Sequence, residues 1–222
     1  MSILETDWQS LLSVDSDLPP DAIFVIEEER VRAHKLLLAG VSPVFKGMFY
    51  GPMKETAEEI LVEETTFEAF DTMVKYIYQP PGGEPSNLDR IQCPQKLFEL
   101  LTLATRYQVL TLVTKTSKAL EDLTLTRENM IFTATVAKNY EVAFNDLSTK
   151  IIMNCVKFLL HTQGPGLDVL ALVKETKEHF PEANLDILQD LRVVASRVLQ
   201  LPGALLQQKN IWLHFISTFQ KI

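Results

Sequence analysis

The sequence predicts an α+β unit, a small sheet capped by a helical cluster, followed by an all-α region. Three observations carry that reading. Short strand-like runs come first, at residues 21–26, 30–32 and 60–62. Helical spacing of apolar residues then takes over, and from Leu123 onward it is helical throughout. Strands grouped early and helices late place the helices against one sheet instead of alternating them with parallel strands.

Taken in order, Ile3, Leu4, Trp8, Leu11 and Leu12 recur at spacings that put them on one face of a short helix. Residues 21–26 and 30–32 flank Glu27-Glu28-Glu29, which reads as a tight hairpin with a charged turn. Residues 33–39 look helical, with Leu36, Leu37 and Leu38 too crowded to face solvent. Ser42-Pro43 opens the next helix: the hydroxyl caps, and proline at the first helical position loses no useful donor. Val41, Phe45, Met48 and Phe49 follow at helical spacing until Gly51-Pro52 stops the helix.

After the strand at 60–62, Thr65 and Glu68 have capping-box spacing. Phe67, Phe70, Val74 and Ile77 then line one helical face. Residues 79–87 are the only strongly loop-like stretch, rich in proline and glycine. Helices follow at 97–107 and 110–120. Later faces are marked by Leu147, Ile151, Cys155 and Phe158, by Leu188, Leu191, Ala195 and Val198, and by Ile211, Phe215 and Phe219.

A chain of 222 residues holds one large or two small domains, and we place a boundary near Glu121. The 46% apolar share is ample for a packed interior. A net charge of −8, with no Lys/Arg cluster to offset it, argues against nucleic acid or an anionic membrane as partner. Cys93 and Cys155 are too few for a disulfide framework and form no CxxC pair for zinc. They fit a reducing compartment, the cytoplasm first and the nucleus second. The first residues lack a basic, apolar leader, and no uncharged run approaches the ~18 residues of a membrane span.

No reaction chemistry assembles. His34, His161, His179 and His214 are scattered, and none sits in HExxH or beside a second ligand at metal spacing. Gly82-Gly83 lacks the Gly-Lys-Ser/Thr of a phosphate cradle, and no GxSxG occurs. Cys155 lies on an apolar stripe, where a thiol behaves as a small hydrophobe. Glu58-Glu59 and Glu63-Glu64 read as solvated flanks and not as an acid/base dyad. The expectation is a non-enzymatic protein without metal or cofactor.

Five segments resemble the BTB (POZ) domain, an α/β fold that mediates protein–protein contacts. They are Asp21-Ala22-Ile23-Phe24-Val25-Ile26, the run from Val31 through His34 to Ala39, and Ser42-Pro43-Val44-Phe45-Lys46-Gly47-Met48-Phe49. Phe67-Glu68-Ala69-Phe70 and Lys75-Tyr76-Ile77-Tyr78 complete the set. The resemblance runs from Trp8 to Leu120. Leu123-Thr124-Leu125-Thr126-Arg127-Glu128-Asn129, followed by Cys155-Val156-Lys157-Phe158-Leu159, resembles the opening of a BACK domain, a helical module that follows BTB domains in many cullin adaptors. The implied division is a dimerisation helix and lead-in over 1–20, a BTB domain over 21–120 and a BACK-like domain over 121–222.

The resemblance implies further roles. The helix bearing Ile3, Leu4, Trp8, Leu11 and Leu12 would lie across a dimer partner, with Asp21 and Lys35 in a charged pocket at the same interface. Met53-Lys54-Glu55, just past the Gly51-Pro52 stop, resembles the hydrophobic-x-Glu motif of cullin-binding BTB domains, and Phe49 and Tyr107 resemble further positions around that surface. His34 would serve packing and hydrogen bonding in the core. The 79–87 loop is longer than the family's usual connection and is read as a surface insertion, with residues 88–93 supplying a last short strand. Leu112 is followed by Thr116 where the family usually has cysteine, and a helical threonine hydroxyl can bond back to a preceding carbonyl.

These readings imply an adaptor that homodimerises and recruits the N-terminal region of cullin-3 into an E3 ubiquitin ligase, with an unidentified protein as substrate. The alternative is a BTB oligomerisation scaffold, for example in transcriptional regulation, that binds no cullin. An ordered helical region after residue 121, in place of a disordered linker and zinc fingers, favours the adaptor.

Overall fold

The computed structural model of the chain describes residues 19–79 and 87–162. Ile3, Leu4, Trp8, Leu11 and Leu12, most of the 79–87 loop, and the stripes at 188–198 and 211–219 lie outside the described residues, as do His179, His214 and the side chain of His161. Two compact units divide the chain, Met1–Leu120 and Glu121–Ile222.

In the first unit, β1 (Ala22–Ile26) and β2 (Glu29–Ala33) form an antiparallel hairpin, with Ala22 opposite Ala33 and Ile26 opposite Glu29. β3 (Glu59–Leu61) adds parallel to the other side of β1, giving the order β2-β1-β3. Alternation does the sorting: Ala22, Phe24, Ile26, Val31, Ala33 and Ile60 turn inward and are buried. The opposite face carries Arg30, Arg32 and Glu59, and the Arg30 guanidinium grips the Glu59 carboxylate at 2.7 Å. The hairpin turn is Glu27-Glu28 alone, and both residues have positive φ, 54° and 143°.

Among the described residues the first unit also has α1 (Lys35–Val41), α2 (Pro43–Tyr50), α3 (Phe67–Ile77), α4 (Pro94–Arg106) and α5 (Leu110–Glu121), all of which contribute to one core with the sheet's inner face. Phe24 is the hub, with ring centres 5.8 Å from Phe45, 6.3 Å from Phe49 and 4.9 Å from Phe70. Each fully buried ring of this kind stabilises the fold by roughly 2–3 kcal/mol relative to exposure.

Several expectations need correction. Ala33 belongs to β2, and α1 starts only at Lys35, so Leu36 falls on the outer face and is 72% exposed while Leu38 is buried. A seven-residue helix has room for only one buried stripe, which Leu38 takes. The α3 cap is Thr66, whose hydroxyl accepts the Ala69 N–H, and not Thr65. Residues 88–93 form no strand: a 3-10 turn spans Asn87–Arg90 and α4 begins at Pro94.

The second unit is described through α6 (Met130–Asn139) and α7 (Asn145–Thr162), which pack together. Thr126 and Asn129 prepare α6 reciprocally, since each side-chain oxygen accepts the other's backbone N–H. Residues 130–137 are all buried, and Lys138 and Asn139 at the end of α6 are exposed. On α7, Ile151 and Cys155 are buried and Leu147 and Phe158 half-buried, the stripe that the spacing predicts. No described helix is long and apolar enough to cross a membrane.

Candidate protein-interaction site

The loop that follows α2 is shaped by three backbone-directed contacts. Gly51 ends the helix, its N–H donating to the Gly47 carbonyl at 2.9 Å. A Cβ on Gly51 would lie 2.3 Å from that same oxygen, so only glycine can turn the chain here. The Glu55 N–H then returns to the Met48 carbonyl at 2.7 Å, closing the loop back onto α2. One Glu55 carboxylate oxygen accepts the N–H groups of Thr56 and Ala57 at 2.8 and 2.9 Å.

The closed loop pushes Met53 outward, where it is 92% exposed. A flexible apolar side chain held this far into water is what an interface anchor needs. Glu55 is also exposed, but its carboxylate faces its own loop. In the free chain it therefore braces the loop that presents Met53.

Phe49 and Tyr107 are placed differently from expectation. Phe49 is 5% exposed and stacks on Phe45; Tyr107 is 6% exposed and stacks on Phe45 at 4.4 Å. Both rings belong to the core cluster and offer little surface in the described chain. Phe49 continues the Phe45 stripe one turn on, and Tyr107 continues that of Leu100, Leu103 and Ala104, a helical signal that identifies both as core. Burial raises the Tyr107 hydroxyl above its ordinary pKa, against the opposing pull of Arg106.

Ser42 ties this platform together, a contact that sequence reasoning anticipated only as a cap. Its hydroxyl oxygen accepts the Phe45 N–H at 3.1 Å and its O–H donates to the Tyr107 carbonyl, joining the start of α2 to the end of α4.

Asp21 and Lys35 meet through the backbone. The Asp21 carboxylate accepts the Lys35 N–H at 2.8 Å, capping α1, because the N-cap residue His34 makes no side-chain cap of its own. The Lys35 ammonium lies 5.6 Å from the centre of the Phe49 ring. Asp21 is exposed, so within one chain the two do not form a buried charged pocket. His34 instead meets Tyr78: the phenol oxygen accepts the His34 backbone N–H at 2.7 Å and lies 2.6 Å from the ring Nδ1. Among the described residues no cluster of His, Cys, Asp and Glu is placed to hold a metal ion.

A three-stranded sheet packed with helices, with an exposed methionine on the loop after α2, is the architecture the described residues show for the first unit. The BTB/POZ domain family model matches residues 13–124, and the chain belongs to that family. Among curated relatives, it is similar to BTB/POZ domain-containing protein 9 of Bos taurus, at 28% identity over 205 residues, covering 82% of this chain and 33% of that one. The Homo sapiens protein of the same description matches at 28% over 205 residues, with 82% and 32% covered. Kelch-like protein 22 of Mus musculus is 35% identical over 65 residues, 29% of this chain and 10% of that one. The chain thus spans about a third of the length of the first two relatives.

Proposed function

We propose that this chain is an adaptor that homodimerises through its BTB unit and recruits cullin-3 into an E3 ubiquitin ligase, acting in the cytoplasm and secondarily in the nucleus. The observation that carries the reading is Met53, extruded from a loop that Gly51 and Glu55 hold closed, at the position where the family resemblance puts the cullin contact. In this arrangement Met53 fills a pocket between cullin helices. On contact, Glu55 can exchange its loop N–H donors for donors of the partner.

The dimer would form through Ile3, Leu4, Trp8, Leu11 and Leu12, with Asp21 and Lys35 covered at the same interface. The 121–222 region, read as BACK-like, would extend the cullin-facing surface and set the distance to a substrate protein. Ubiquitin transfer belongs to other subunits.

Sedimentation velocity of the chain mixed with the N-terminal region of cullin-3 tests this. A faster-moving complex containing two copies of the chain is expected. Two species that migrate independently would overturn the proposal.

A further inference from the structure

Thr56 stands apart from the other hydroxyls of the chain. The described serines and threonines are mostly helical, buried or acting as caps; Thr56, Thr124 and Thr126 are exposed and lie outside helices. Arg127 lies close after Thr124 and Thr126, whereas Thr56 is followed by Ala57-Glu58-Glu59. The Thr126 oxygen already accepts the Asn129 N–H, while the Thr56 hydroxyl has no hydrogen-bond partner among the described residues. Residues 54–57 are exposed and have no regular secondary structure, and the Thr56 and Ala57 N–H groups are held only by the exposed Glu55 carboxylate.

From these features we infer that Thr56 is a phosphorylation site for an acidophilic serine/threonine kinase that reads the carboxylates of Glu58 and Glu59. The Thr56 oxygen attacks the γ-phosphorus of ATP. The bond from that phosphorus to the bridging oxygen breaks, ADP departs, and the hydroxyl proton passes to the kinase's own base. Glu59 is held by Arg30, but that ion pair is exposed at both ends and opens at small cost.

The product has a defined local effect. A phosphate adds about −1.5 to −2 charges at neutral pH. It would sit one residue from the Glu55 carboxylate that holds the Thr56 and Ala57 N–H groups, and like-charge repulsion drives Glu55 off them. The site stands independently of the cullin reading, since it rests on the loop alone.

The test uses the full chain with ATP and an acidophilic kinase of the casein kinase type, and phosphorylated residues are mapped by mass spectrometry. Label at Thr56 is expected, absent from Thr56→Val and slowed severalfold by Glu59→Gln. Because Glu59→Gln also breaks the Arg30 ion pair, Arg30→Gln serves as control and should leave labelling intact. Ser86 has the same spacing to Asp89, so label confined to Ser86 would overturn the inference. So would equal slowing by Arg30→Gln and Glu59→Gln, which would make the effect structural and not one of recognition.

Discussion

Thr116 is 0% exposed on α5 and its hydroxyl has no partner among the described residues. Thr102, Thr105, Thr114, Thr133 and Thr135 all return a hydroxyl bond to the carbonyl four residues back, as expected of helical threonines, yet Thr116 does not. Its position, where the family usually has cysteine, was legible in the sequence. The orphaned hydroxyl was not, because hydroxyl rotation is set by packing. Thr116→Val, which keeps the shape and removes the unsatisfied group, should raise stability by about 1 kcal/mol in urea unfolding; a loss would mean that the hydroxyl is satisfied after all. Gln108 shows the same kind of local cost. It sits at φ 53° just past α4, where its N–H reaches the Thr105 carbonyl and the Val109 N–H reaches that of Ala104, the paired bonds of a Schellman cap. Gln108→Gly should add roughly 0.5–1 kcal/mol by the same assay. At α7, burial pushes the Cys155 thiol from 9.0 up to about 12. The unfolded chain gives up this proton first, so the stabilisation is complete below about pH 9 and declines as pH rises toward about 12. The slope is up to about 1.4 kcal/mol per pH unit. Tyr78 and Tyr107, raised mainly by burial, add the same sign above about pH 10. Cys155→Ala should flatten the decline over that window, and identical slopes would contradict this.

At the scale of elements, the tight hairpin forms where the charged turn predicts it, but its two turn residues are unusual in type. A two-residue connection with positive φ at both positions favours Asn-Gly, and Glu27-Glu28 gives no such signal. Glu27 earns its place by accepting the Phe67 N–H at the start of α3, whereas Glu28 has no such role in that cap. Glu28→Gly should therefore raise the melting temperature, by the equivalent of about 1 kcal/mol. The reverse holds at Gly51, where any side chain meets the Gly47 carbonyl. Gly51→Ala should lower stability and reshape the 51–58 loop, seen as faster amide exchange at Glu55. Helix stops and strands with strict alternation were readable from sequence: β1, the Ser42-Pro43 start and the Gly51-Pro52 stop fall where expected. The start of α1 was not, because Ala33 and His34 fit either the end of a strand or the first turn of a helix. Pairing of Ala33 with Ala22 settles it for the strand.

For the whole molecule, the large apolar side chains of the first unit divide between one core and a few exposed positions. Phe24, Phe45, Phe49, Phe70 and Tyr107 converge into one cluster, whereas Met53, on the loop after α2, is 92% exposed. Helical spacing puts Phe49 on the Phe45 stripe, while Met53 lies just past the Gly51-Pro52 stop. The helix ends at Gly51 between them, with Phe49 buried and Met53 exposed. The most direct measurement is a calorimetric titration of the chain with the N-terminal region of cullin-3, run beside a Met53→Ala/Glu55→Lys variant whose fold is checked by its thermal melt. The account predicts binding by the parent, weakened by ~2 kcal/mol or more in a folded variant, as for the loss of a buried anchor. Absence of binding by the parent, or equal binding by both, would contradict it.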